Sequence, residues 1–210
     1  MLTMEDDIVG VGGNLDPATL LAAYRRGIFP WPAEDVPLLW YCPLERAVLR
    51  FENLHIGRHL ARARRRSELR FTIDAAFEEV IAACAEMERP EQDGTWITPE
   101  MVEAYIELHR RGSAHSVEAW RGETLVGGLY GVDAGGCFGG ESMFHCETDA
   151  SRLALLHLID HLRARGIEWL DCQVMTPHFE RLGAEEIPRA EFLRMLDTSL
   201  TEGRELFPAD

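Results

Sequence analysis

The chain of 210 residues has no run of about 18 apolar residues, which excludes a membrane-spanning helix. Its acidic start, "MLTMEDDIVG", lacks a basic-then-apolar pattern, so no secretory signal is expected. There is no CxxC, and the five cysteines (Cys42, Cys84, Cys137, Cys146, Cys172) are an odd number. Reduced thiols in a cytoplasm fit that count better than a disulfide framework. No internal repeat or low-complexity linker is present. Lysine is absent altogether: all 21 basic residues are arginine, and the net charge is −15. A GC-rich genome would account for the missing lysine, and adaptation to salt for an acidic surface.

Taken alone, −15 argues against a nucleic-acid partner, but the charge is uneven. "GRHLARARRRSELR", from Gly57 to Arg70, holds six arginines against one glutamate, about +5 in a chain otherwise about −20. As a helix it places Arg58, Arg62 and Arg65 or Arg66 on one face. A solvated charged face and a polyanion contact both fit this pattern.

Local signals order the elements. Asp16-Pro17, Thr98-Pro99 and Thr176-Pro177 are helix starts, and Gly27, Gly112, Gly166 and Gly183 are helix stops. "DAAFEEVIAACAEM" reads as a helix capped at Asp74, and "RPEQDGTW" as a loop. "PLLWYCPLERAVLRF" reads as two strands broken at Pro43. "AHSVEAW", "LVGGLYGV" and "GCFGGES" read as three strands in two hairpins. "RLALLHLIDHLRARG" is the clearest helix, "IEWLDCQV" the next strand, and a last helix follows Pro188. The sum is an α+β fold, with helices on a mostly antiparallel sheet after a small N-terminal domain at 1–50. A larger second domain at 51–210 would follow.

Asp171 and Gln173 interrupt the apolar strand "WLDCQV" two residues apart, so they share a face. A satisfied polar pair at a strand end and a reactive pair are both compatible with that spacing. Cys172, on the other face, is expected to be a small core residue. His157 and His161 have the i, i+4 spacing of a metal pair but lack a third ligand, so no metal is expected. "GVGGN" reads as a turn.

The element order resembles the GNAT acetyltransferase fold. That fold cradles acyl-CoA pyrophosphate on a glycine-containing loop ahead of a helix. The matching stretch here, "ESMFHCETDASR", has no glycine and carries Glu141, Glu147 and Asp149, which would repel a pyrophosphate. An acyl donor other than CoA is therefore expected. Beyond the fold, "GNLDPATLLAAYRRGIFPW", "GTWITPEMVEAYIELHRRGSAHSVEAW", "LVGGLYGV", "GGESMF" and "DCQV" with "LGAEEIPRAEFL" resemble the leucyl/phenylalanyl-tRNA–protein transferase family, from about Gly12 to Leu196.

The resemblance implies a GNAT-like catalytic domain that needs no cofactor or metal. It implies transfer of Leu or Phe from aminoacyl-tRNA to the N-terminal amine of proteins starting with Arg or Lys, marking them for degradation. It assigns catalysis to Asp171 and Gln173, and acceptor recognition to Glu141. It lines the donor pocket with Trp96, Leu129, Phe138, Leu158, Leu162 and Leu170. Other members carry methionine at the position of Leu129 and phenylalanine at those of Leu158 and Leu162, so the pocket shape is expected to differ. Trp31 would stack near the terminal adenosine, and Arg58, Arg62, Arg65 and Arg66 would meet tRNA phosphates. A cytoplasmic monomer is expected. Competing expectations are an acyl-CoA acetyltransferase and a non-catalytic RNA-binding or degradation-adaptor domain.

Overall fold

Short polar side chains set where three helices begin. Asp16 accepts from the N–H groups of Ala18 and Thr19 at 3.1 and 3.0 Å, with Pro17 in the first helical position. Thr98 accepts from Met101 N–H at 3.2 Å and Thr176 from Phe179 N–H at 3.3 Å, each again followed by proline. The computed structural model describes residues 4–32, 36–87 and 96–208. Of the loop expected at 89–96, all but Trp96 lies outside them.

The N-terminal part runs β1 (Ile8–Val11), α1 (Pro17–Tyr24), β2 (Phe29–Trp31) and β3 (Leu39–Tyr41). These strands form a small sheet in the order β1-β3-β2. There follow β4 (Glu45–Arg50), α2 (Arg58–Arg66), β5 (Arg70–Ile73), α3 (Phe77–Glu86) and α4 (Pro99–Arg110). Then come β6 (Ala114–Arg121), β7 (Thr124–Asp133), β8 (Phe138–His145), α5 (Ala150–Ala164) and β9 (Trp169–Gln173). The chain closes with α6 (Pro177–Arg181), β10 (Glu185–Pro188) and α7 (Arg189–Glu202). The large sheet has seven strands in the order β10-β4-β9-β8-β7-β6-β5. Its pairings are antiparallel except β8 with β9, whose link is the helix α5, as a parallel crossover requires. The α+β class expected from the sequence is what folds.

Strand alternation sorts the core onto the two faces of this sheet. Leu49, Leu129, Phe138, Leu170 and Cys172 point to one face and pack with α5 residues Leu155, Leu158 and Leu162. Val48 points to the other face, with Phe192 and Leu196 of α7. Tyr130 and Val132 also point there, packing with α1, α3 and α4 through Leu20, Ile81 and Met101.

Two local expectations need correction. The arginine-rich helix stops at Arg66, and Arg70 opens β5, which pairs with β6 at the sheet edge. Asp74 does not cap α3. It sits at φ 58°, accepts from Ser116 N–H at 2.9 Å and pairs with His115 Nδ1 at 2.7 Å, and α3 starts at Phe77. A partner on β6 outbids the local N–H groups for its carboxylate.

Candidate functional site

A parallel pair that separates makes a cleft inside a sheet. Strands β8 and β9 pair at Gly139 and Asp171. Beside that pairing, Gly140–Met143 of β8 and Leu170, Cys172, Gln173 and Val174 of β9 and its end line a pocket of about 550 Å³. Leu129, Leu155, Leu158, Leu170 and Cys172 enter it from the α5 face. Phe29, Trp31, Trp96 and Tyr130 enter it from the other. The wall is mostly apolar, with Glu141, Ser142, Gln173, Thr176 and His178 as its polar members.

Gln173 ends β9 in a strained turn. Its φ is 62°, and Val174 N–H donates across it to Cys172 C=O at 2.7 Å, a γ-turn about a left-handed residue. A non-glycine residue held there costs on the order of 1–3 kcal/mol, so its surroundings must impose it. They do so from below. Asp171 Oδ1 accepts the Gln173 backbone N–H at 2.9 Å, an Asx turn. The side-chain amide donates from Nε2 to Glu141 Oε1 at 2.6 Å. Because a carboxylate only accepts, the Gln173 carbonyl is the end left for another donor.

Glu141 gathers three donors. Oε1 takes Tyr24 Oη–H at 2.8 Å besides Gln173, and Oε2 takes Tyr105 Oη–H at 3.3 Å. The two tyrosine hydroxyls also lie within hydrogen-bond distance of each other, so their two protons are shared among three contacts. Desolvation pushes the Glu141 pKa up from 4.5 to about 7, against the lowering effect of the bonds from Tyr24 and Gln173. Burial next to this carboxylate likewise raises both tyrosine pKa values.

Asp171 occupies the same strand but does not line the pocket. It is buried under Arg46, which grips it two-pronged: Nε to Oδ1 at 2.8 Å and Nη2 to Oδ2 at 2.6 Å. The two residues to which the resemblance assigns catalysis therefore occupy different places. Gln173 lines the cavity, and Asp171 supports it from behind. The neighbouring Cys172 is buried as expected, with burial raising its thiol pKa, and it contributes to the pocket wall. Val174 is 40% exposed at the rim.

The structure brings many of the sequence-predicted residues together. Trp96, Leu129, Leu158 and Leu170 line the pocket, and Trp31 stacks on Trp96 with ring centroids 5.8 Å apart. Phe138 and Leu162 do not line it; both are wholly buried in the core behind. Arg58, Arg62, Arg65 and Arg66 are exposed on α2, and among the described residues none has an ion-pair partner. Arg64 of the same helix is instead tied to Asp160. Glu147 and Asp149, expected to repel a pyrophosphate, are held by Arg121 and Arg152. His157 stacks on Phe71 at 5.3 Å, and His161 Nε2 bonds Leu206 C=O at 2.9 Å.

Sequence reasoning missed Arg46, Tyr24, Tyr105 and His178. Arg46 gave only a weak signal, a charge next to Glu45 at the start of the strand run "ERAVLR". The tyrosines had none, since each sits among the apolar positions of an ordinary amphipathic helix. His178 lines the pocket with a buried Nε2 that has no hydrogen-bond partner among the described residues. Burial, with Arg152 and Arg181 nearby, lowers its pKa to about 4, so the ring is neutral at physiological pH.

Comparison with known proteins covers most of the chain. Residues 48–197 match the family described as leucyl/phenylalanyl-tRNA protein transferase, and residues 13–44 match the N-terminal domain of the same family. A relative named leucyl/phenylalanyl-tRNA–protein transferase from Anaeromyxobacter sp. (strain Fw109-5) is 53% identical over 97% of this chain and 88% of its own length. Relatives of the same name from Aromatoleum aromaticum and Maridesulfovibrio salexigens are 52% and 50% identical. They cover 94% and 93% of this chain, and 83% and 82% of their own lengths.

Proposed function

The chain belongs to the leucyl/phenylalanyl-tRNA–protein transferase family, and from that premise we propose how its cleft carries out transfer. It is an aminoacyltransferase that moves an amino acid from aminoacyl-tRNA to a protein N-terminus. The leucyl or phenylalanyl side chain of the donor enters the apolar pocket between Leu129, Leu158 and Leu170. The stacked Trp31 and Trp96 at its edge suit the flat terminal adenosine. The unpaired arginines of α2 suit the phosphates of the tRNA body, a contact that adds affinity without reading sequence.

An aminoacyl ester is already activated, and an N-terminal amine with a pKa of about 7.7–8.0 is partly neutral near pH 7. The protein therefore needs to orient the two and relieve the amine of a proton, and no covalent enzyme intermediate is required. Gln173 offers its carbonyl to the attacking amine N–H, with its Nε2 already held by Glu141. Glu141 has donors on both sites of Oε1 but a single donor on Oε2, which leaves Oε2 to receive the guanidinium or ammonium of an N-terminal Arg or Lys. In the transfer the amine nitrogen bonds to the ester carbonyl carbon. The ribose oxygen leaves with a proton, and the product is a peptide bond.

The observation that carries this reading is the Gln173–Glu141 hydrogen bond at the mouth of an apolar cavity. Such a protein acts where charged tRNA and nascent or cleaved proteins meet, in the cytoplasm, as a monomer. Among the described residues no helix is long and apolar enough to cross a membrane. Leu-tRNA or Phe-tRNA incubated with the protein and a peptide starting with Arg should yield that peptide extended by one Leu or Phe. An extension seen only with acetyl-CoA as donor would reverse the assignment.

A further inference from the structure

The pocket wall accounts for Gln173 and Glu141, but a buried two-pronged ion pair that supports them lies outside it. Strand β4 pairs with β9 so that Val48 faces Asp171 and Ala47 faces Gln173, with a bulge between Ala47 and Val48. Arg46 is two residues from Val48 on the same strand, and so reaches Asp171 diagonally across the ladder. Its side chain is 1% exposed. The guanidinium lies between two rings, with Cζ 4.8 Å from the centroid of Phe29 and 4.4 Å from that of Phe192. Its third nitrogen donates to Gly27 C=O at 3.1 Å.

Both carboxylate oxygens of Asp171 accept from Arg46, Oδ1 from Nε and Oδ2 from Nη2, and Oδ1 also takes the Gln173 N–H. A carboxylate so engaged, outside the cavity, is badly placed to take a proton from an amine. It is well placed to hold the left-handed turn that aims Gln173.

We propose that Arg46 and Asp171 form a positioning clamp for Gln173, in which Arg46 fixes the Asp171 carboxylate and Asp171 fixes the strained Gln173 backbone. Neither residue touches substrate. Phe29 lies against Arg46 and lines the pocket, so the same guanidinium sets the donor wall and the catalytic amide relative to each other. The clamp rests on the transfer reaction proposed above for what Gln173 does once it is aimed.

Removing one member of a buried pair strands the other charge and endangers folding. The test therefore uses the double variant Arg46→Met/Asp171→Asn, which is neutral and keeps an oxygen for the Gln173 N–H. Arg46→Lys is the conservative variant. Arg50→Met is the structural control, since Arg50 lies on the same strand and makes half-exposed ion pairs with Glu185 and Glu191. Each is measured for kcat and KM in transfer, with and without Gln173→Ala, and for hydrogen exchange at the Gln173 amide.

The clamp predicts that the double variant loses about 100-fold in kcat, the cost of a misplacement of about 1 Å, with KM for both substrates within about twofold. Arg46→Lys should recover part of the loss, and Arg50→Met should show none. In the Gln173→Ala background the Arg46 and Asp171 substitutions should cost nothing further, because they act through Gln173. Exchange at the Gln173 amide should accelerate in the double variant alone. Unchanged kcat and unchanged exchange in the double variant would overturn the clamp, as would losses that multiply with that of Gln173→Ala. A wild-type protein that transfers nothing would condemn the reaction, while amide exchange would still decide whether the clamp exists.

Discussion

Replacing Glu141 by glutamine removes a charge and almost no volume. The amide oxygen can keep the place of Oε1, where Tyr24 and Gln173 donate, and Tyr105 retains its bond with Tyr24, so the fold should survive. What goes is the charge offered to a basic N-terminal residue. A hydrogen bond to a charged group contributes about 1.5–3 kcal/mol, which corresponds to about 10- to 150-fold in kcat/KM for a peptide starting with Arg. A peptide with a neutral first residue should lose little.

The pH profile sharpens the prediction. With a pKa of about 7, Glu141 must ionise over the same range in which the acceptor amine, at about 7.7–8.0, must lose its proton. The log of wild-type kcat/KM should rise with slope 2 below pH 7 and slope 1 up to about 8; Glu141→Gln should show slope 1 throughout. Stability moves the other way. The folded carboxyl holds its proton longer than its unfolded counterpart at 4.5, so its stabilising contribution is complete below about pH 4.5 and is lost as pH rises through about 7. The glutamine variant should lack that decline in thermal melts. Initial rates with Leu-tRNA and paired Arg and neutral peptides at several pH values measure both slope and selectivity. An acid limb of equal slope in both proteins, or intact selection for Arg in the variant, would refute the reasoning.

Further predictions concern the fold and the tRNA. Alanine at Gly27 should lower the melting temperature by roughly 4–10 °C. The position sits at φ 74°, and an added Cβ would come within 2.6 Å of the Phe192 ring that packs on Arg46; a calorimetric scan reads the outcome. Changing Arg58, Arg62, Arg65 and Arg66 together to alanine should weaken tRNA binding in low salt. The log–log salt slope should flatten by roughly 3, with the rate for pre-bound donor nearly unchanged, as fluorescence titration at several salt concentrations would show.

How legible the molecule was depends on the range of each contact. Asp16, Thr98 and Thr176 were readable as caps because the N–H groups that they satisfy lie two or three residues away. Strands β1, β2 and β10, of three or four residues each, gave no periodic signal; they exist because distant partners complete their ladders. Asp74 looked like a cap and instead serves His115 and Ser116, some 40 residues on. At the site, spacing located Asp171 and Gln173, and the family resemblance added Glu141. Spacing could not divide the labour between the pair, because that depends on Arg46, 125 residues away, and on a turn that period-2 alternation does not describe.

The central claim is that the Gln173 side chain, at the junction of donor pocket and acceptor carboxylate, drives the transfer step. Its most direct test is the single-turnover rate of wild type and Gln173→Ala with Leu-tRNA pre-bound and saturating Arg peptide. The account predicts a loss of about 100-fold or more in that rate with Leu-tRNA affinity unchanged. Equal rates in the two proteins would contradict it.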